Sequence, residues 1–285
     1  MLQTERTPPL HWQCHGAGQD LVLLHGWGMN GAVWQQSVEA LRHHYRVHVV
    51  DLPGFGLSHQ RHFSTLADLT AQVLEDAPEK AIWLGWSLGG LVACHIALHH
   101  PERAQGLITV ASSPCFAEKT AASEKEGLVE IMAEQKAEKK AEQKIWRGIQ
   151  ATVLTAFTAQ LMDDFQLTIE RFMALQAMGS ASARQDLKTL KKAVLSRPFP
   201  NQEALLAGLN LLADIDQRHQ LADIQAPTLR LYGRLDALVP IKVAEDVARL
   251  MPKSHSHVFA QSSHAPFMTE PEAFFQQIIA FQTEK

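Results

Sequence analysis

Cysteine is scarce: Cys14, Cys94 and Cys115 are the only three in 285 residues, and no two form a Cys-x-x-Cys pair. That odd, scattered set supports neither a disulfide framework nor a thiolate zinc site, and it fits a reducing, cytoplasmic setting. An excess of positive charge is also missing. Lys and Arg number 26 against 30 Asp and Glu, a net charge of −4 with His neutral. The chain therefore lacks the basic field behind non-specific nucleic-acid binding, and no nucleic-acid partner is expected. No apolar run approaches the roughly 18 residues of a membrane span, and the opening stretch Met1–Pro9 is polar, with Glu5 and Arg6. Neither a signal peptide nor a membrane anchor is expected. There is no P-loop ending in Gly-Lys-Ser/Thr, no dinucleotide fingerprint and no cluster with metal-ligand spacing, so the expectation is no cofactor and no metal.

What is present is a chain able to bury a large core. Hydrophobic residues make up 46% and charged ones 20%, which suits one globular domain with an embedded subdomain. Short β-rich runs recur at Leu21–Leu24, Val47–Val50, Ala81–Leu84, Leu107–Val110, Thr228–Tyr232 and His257–Phe259. Their length and bounding Gly, Asp and Pro suit strands buried on both faces. Amphipathic segments at Leu66–Leu74, Leu88–His99, Lys242–Leu250 and Glu272–Phe281 supply the crossover helices that parallel strands need. The fold class is α/β, with a mostly parallel, doubly wound sheet.

Between Phe116 and Phe199 the rhythm changes. No strand is evident there, while Phe157, Leu161, Phe165, Ile169 and Phe172 fall at helical spacing, so residues 116–200 are expected to form an all-helical cap inserted into a core of residues 1–115 and 201–285. Within the cap, residues 118–144 form a charged segment. Ala133–Lys144 is three near-repeats of Ala-Glu-Gln/Lys-Lys, and Glu126, Glu130, Glu134, Glu138 and Glu142 stand four apart. A solvated helix with a like-charge row is the expectation.

The strongest chemical signal is Gly85-Trp86-Ser87-Leu88-Gly89, set directly after one predicted strand and before a predicted helix. This is the Gly-x-Ser-x-Gly nucleophile elbow in its required context. A tight strand-to-helix turn strains the serine backbone and presents its hydroxyl at the carboxyl edge of the sheet. The helix N-terminus behind it favours a developing oxyanion. A serine hydroxyl needs a base oriented by an acid, in the chain order Ser, Asp, His. Asp236 follows a predicted strand, in Tyr232-Gly233-Arg234-Leu235-Asp236, whereas Asp214, Asp216 and Asp223 precede that strand and are expected at the surface. Of fifteen histidines, His264 stands apart by lying between the last strand and the final helix. Leu24-His25-Gly26-Trp27-Gly28 supplies the early loop from which a second oxyanion donor comes. The amides of Trp27 and Leu88 are the expected oxyanion hole, with the Trp27 ring walling the acyl pocket. The Gly and Pro of Asp51–Ser58 read as turn geometry.

Taken together, Val22–Gly28, Asp51–Gly56, Ala81–Ala93, Val110–Phe116, Arg230–Pro240 and His264–Phe267 resemble the α/β-hydrolase superfamily across essentially the whole chain. More narrowly, they resemble the BioH family of pimeloyl-[acyl-carrier protein] methyl ester esterases. The resemblance implies an α/β-hydrolase fold, a triad of Ser87, Asp236 and His264, an oxyanion hole at Trp27 and Leu88, and Phe172 beside the acyl chain. It also implies a role in biotin synthesis and transient docking of an acidic acyl-carrier protein. From Glu170 to Pro200 six bases stand against two acids. Arg171, Arg184, Lys188 and Lys191 are the expected docking residues, with Lys192 on the same face. Leu167 stands where the family pattern suggests a further base, and the charged segment departs from that pattern. A monomer is expected. The alternatives are a general short-chain carboxylesterase or a C–C bond hydrolase of the same fold, or a binding module that has kept the pocket without turnover. Dehalogenase and epoxide-hydrolase readings fail because they need an Asp where Ser87 stands.

Overall fold

The computed structural model describes residues 8–119 and 146–281. The charged repeats and glutamate row of residues 120–145 lie outside them. Seven strands form one sheet: β1 (Trp12–Gly16), β2 (Gln19–Leu24), β3 (Tyr45–Val50), β4 (Ala81–Trp86), β5 (Ala104–Val110), β6 (Thr228–Gly233) and β7 (His255–Phe259), in spatial order β1-β3-β2-β4-β5-β6-β7. All neighbours are parallel except β1 and β3. β1 is an edge strand absent from the sequence expectation, because its residues alternate in exposure and form no apolar run.

The central strands are apolar on both faces because helices cover both. α1 (Gln35–Leu41), α2 (Leu66–Glu75), α3 (Leu88–His99), α8 (Lys242–Leu250) and α9 (Pro271–Phe281) surround the sheet. α3 is apolar nearly all round and correspondingly buried. α8 buries only Val243, Ala244 and Val247, the i, i+1, i+4 stripe of a surface helix. Between β5 and β6 lies a helical block: α4 (Ala151–Asp163), α5 (Phe165–Ala177), α6 (Ala183–Leu195) and α7 (Gln202–Asp214). The apolar periodicity from Phe157 to Phe172 is divided between two helices. Asp164 interrupts it with extended backbone, and its carboxylate caps α5 by accepting from Leu167 N at 2.9 Å. The block also holds isolated bridges, Ala117 with Ile149 and Lys119 with Trp146. The carboxyl ends of β4, β6 and β7 all point to the same edge, and the fourth helix of the block, α7, packs on α3.

Candidate active site

The turn after β4 explains why the elbow needs its small residues. Ser87 has φ 55° and ψ −117°, a conformation that L-residues with side chains rarely adopt. A methyl group at Gly85 would lie 2.1 Å from Gly89 O, and one at Gly89 would lie 2.4 Å from Leu24 O. The serine is held there by Ser87 N donating to Val110 O at 3.0 Å and by Gly90 N and the Ser112 hydroxyl donating to Ser87 O, each at 2.9 Å.

The loop after β2 lies directly against this turn: a Cβ on Gly26 would be 3.3 Å from Ser87 Cβ. Two buried polar anchors fix that loop. His25 Nδ1 donates to Gly26 O at 2.9 Å while its Nε2 accepts from Leu52 N at 3.0 Å. Burial pushes the His25 imidazole down to about 4, so it stays neutral in this one tautomer. Trp27 Nε1 donates to Leu205 O of α7 at 2.8 Å. The backbone amides of Trp27 and Leu88 donate to no carbonyl among the described residues, which leaves both available to an incoming oxyanion.

Asp236 sits in the loop after β6, where Leu238 N and Val239 N donate to Oδ1 at 2.8 and 3.0 Å. Oδ2 accepts from His264 Nδ1 at 2.8 Å, and both side chains are buried. Trp86 Nε1 donates to His264 O at 2.7 Å, tying the histidine to the residue before Ser87. Among the described residues His264 Nε2 is buried without a hydrogen-bond partner, and no Ser87–His264 hydrogen bond is formed. Such bonds tighten when substrate is in place. Of the other acids, Asp214 and Asp223 are exposed as expected, whereas Asp216 is half-buried and chelated by Arg218 at 2.7 Å.

The helical block reaches this centre through the end of α5. Gln176 O accepts from His264 N at 3.2 Å, and Met178 O accepts from the Ser263 hydroxyl at 2.7 Å. Phe172 is buried with its ring centroid 4.7 Å from that of Trp27, and Phe157 stands 5.7 Å beyond it. Phe157 also lines an open groove of about 510 Å³ between α4 and α5, together with Arg171, Leu175 and Met178. A larger cleft of about 600 Å³ between α1 and α6 contains none of Ser87, Asp236 or His264. Gln176 was not singled out from the sequence. One turn from Phe172, its side chain is wholly buried, and neither amide atom has a partner among the described residues. Only its place on the apolar stripe of α5 could have drawn attention to it.

Arg171 on α5 and Arg184 and Lys188 on α6 are exposed on adjacent helices. Lys191 is partly exposed and pairs with Glu170 at 3.2 Å. Arg197, one of the six bases of this stretch, turns inward to Asp51. Leu167 is exposed one turn before Arg171.

The family described as alpha/beta hydrolase fold matches residues 21–271. The pimeloyl-[acyl-carrier protein] methyl ester esterase of Vibrio cholerae is 60% identical over 277 residues, covering 97% of this chain and 99% of its own. The Vibrio parahaemolyticus protein of the same name is 60% identical over 272 residues, covering 95% and 97%. Among solved structures, an esterase from Exiguobacterium antarcticum superimposes with a TM-score of 0.77 at 21% identity, covering 95% of this chain and 94% of its own.

Proposed function

We propose that this chain, which belongs to the α/β hydrolase family and within it to the pimeloyl-[acyl-carrier protein] methyl ester esterases, hydrolyses the methyl ester of a carrier-bound pimeloyl chain in biotin synthesis. The observation that carries the chemistry is the buried Asp236–His264 pair, whose Nε2 is left free and whose histidine backbone is tied by Trp86 Nε1 to the residue before a strained serine. Ser87 Oγ attacks the ester carbonyl as His264 Nε2 takes its proton. Asp236 fixes the Nδ1–H tautomer and stabilises the imidazolium. The Trp27 and Leu88 amides receive the oxyanion, each contributing about 10² to 10³ in rate. His264 then protonates departing methanol, and water, deprotonated by His264, releases the acid from the acyl-enzyme.

In this reading residues 116–200, with α4, α5 and α6, act as a cap over a core of residues 1–115 and 201–285, and α7 of the helical block belongs to the core. The acyl chain enters by the groove at Phe157 and lies against Phe172 and Trp27, and the unpartnered Gln176 amide supplies a polar contact inside an otherwise apolar passage. Arg171, Arg184, Lys188 and Lys191 dock an acidic carrier transiently on a monomeric enzyme. The deciding assay compares carrier-bound pimeloyl methyl ester with a small p-nitrophenyl ester, in wild type and in Arg184→Glu/Lys188→Glu. Selective loss on the carrier ester supports the reading. Equal activity of both proteins on both esters removes the docking face, and hydrolysis of small esters alone by wild type points to a general carboxylesterase.

A further inference from the structure

Arg230 lies in the middle of β6 and is only 2% exposed, yet no carboxylate among the described residues pairs with it. Its Nε donates to the Ser254 hydroxyl at 2.9 Å, and its Nη1 donates to Ala244 O at 3.0 Å and to the Tyr232 hydroxyl at 3.2 Å. All three acceptors are neutral, and Nη2 has no acceptor among the described residues. A buried cation with no counter-charge is among the costliest arrangements a fold can hold.

Beside this guanidinium is a cavity of about 20 Å³ whose walls include Cys94, Leu107, Thr109, Ser112, Tyr232 and Met251. Thr109 is paired with Arg230 across β5 and β6, and Tyr232 is two residues along β6, so the three side chains share one face of the sheet. Thr109, Tyr232 and Cys94 each bring a hydrogen with no acceptor among the described residues. Burial raises the Tyr232 phenol, which therefore remains a donor. The cavity thus gathers donors and a positive charge. A water would accept two of these hydrogens and could donate its own to the lone pairs of the wall hydroxyls, but it would leave the charge of Arg230 uncancelled. A spherical anion accepts from all of them and cancels the charge. The volume is that of one water-sized occupant, too small for sulfate or phosphate.

We propose that this cavity is a binding site for one halide-sized anion, chloride in the cell, held by Arg230 Nη2, the Tyr232 hydroxyl and the Thr109 hydroxyl. The site is separate from the ester-cleaving centre, but its wall residue Ser112 donates to the carbonyl of Ser87. Bound anion therefore braces the floor of the nucleophile turn.

The test uses the intact protein and bromide. Crystals soaked in sodium bromide should show an anomalous peak within hydrogen-bonding distance of Arg230 Nη2. The thermal midpoint should rise saturably by roughly 2 to 4 °C when bromide or chloride replaces gluconate at constant ionic strength, with sulfate giving no such rise. Arg230→Met should abolish both signals. If that variant does not fold, Thr109→Val should weaken the halide dependence while keeping the fold. An ordered water without anomalous signal would overturn the proposal. So would a halide effect equal in wild type and variant, or a bromide peak with no saturable stabilisation, which would mark an adventitious ion only.

Discussion

Arg197 Nη1 lies 2.5 Å from Asp51 Oδ1, joining the end of α6 to the end of β3 across 146 residues of sequence. Asp51 is wholly buried, and its carboxylate also accepts from Gly31 N at 2.6 Å and Leu57 N at 2.7 Å. Arg197 is the cation that balances this charge. Arg197→Met should therefore cost about 3 to 5 kcal/mol, the penalty of a buried carboxylate stripped of its partner. Urea unfolding checks this. Double replacement with Asp51→Asn should recover part of the loss, whereas two independent surface effects would simply add.

Ser87→Ala should lower kcat on any ester by roughly four to six powers of ten with the fold intact. The same variant should fail to react with a fluorophosphonate probe that labels wild type. A variant keeping more than about a tenth of wild-type turnover would remove Ser87 from the nucleophile role.

Gly208 on α7 faces Trp27 and Leu88, the proposed oxyanion donors. A Cβ there would lie 2.6 Å from Trp27 Cδ1 and 3.5 Å from Leu88 Cδ2. Gly208→Ala must push the Trp27 ring or α7 away and strain the Trp27–Leu205 hydrogen bond. Overpacking of this kind costs about 1 to 3 kcal/mol, and kcat should fall by about 10²-fold because the donor at residue 27 moves with its ring. Trp27→Phe in the same background frees the space and should return part of kcat. Steady-state kinetics beside thermal melts separate the two effects.

Acid should destabilise the protein before its carboxylates titrate. Burial holds both His25 and His95 at about 4, with His99 and His100 adding to the effect at His95. Both groups bind protons more readily in the unfolded chain, where a histidine titrates near 6.5. Stability is thus full above about 6.5 and declines as pH falls toward about 4, with a slope approaching 1.4 kcal/mol per pH unit for the wholly buried His25. Melting temperatures from pH 7 to 4.5 should show this, and His95→Leu should flatten the curve.

The sequence made legible those features that nearest neighbours in the chain determine. The apolar strand runs, the turn around Ser87 and the helices Leu88–His99 and Lys242–Leu250 are all local patterns, and the structure reproduces them. β1 escaped notice because an edge strand with one solvated face need not carry an apolar run. The break at Asp164 was hidden by a periodicity that continues on both sides of it. Gln176 and Arg197 were invisible as buried groups, since their surroundings come from segments distant in the chain. The chemistry of the candidate site was legible, but the packing that aims it was not.

The positive φ of Ser87 has one more implication. A glycine at that position would relieve roughly 1 kcal/mol of backbone strain and, with Ser87 as the proposed nucleophile, leave an inert protein more robust than the active one. Random drift judged only on folding would discard the hydroxyl, so its presence in so unfavourable a posture marks a position where selection has favoured reactivity over durability.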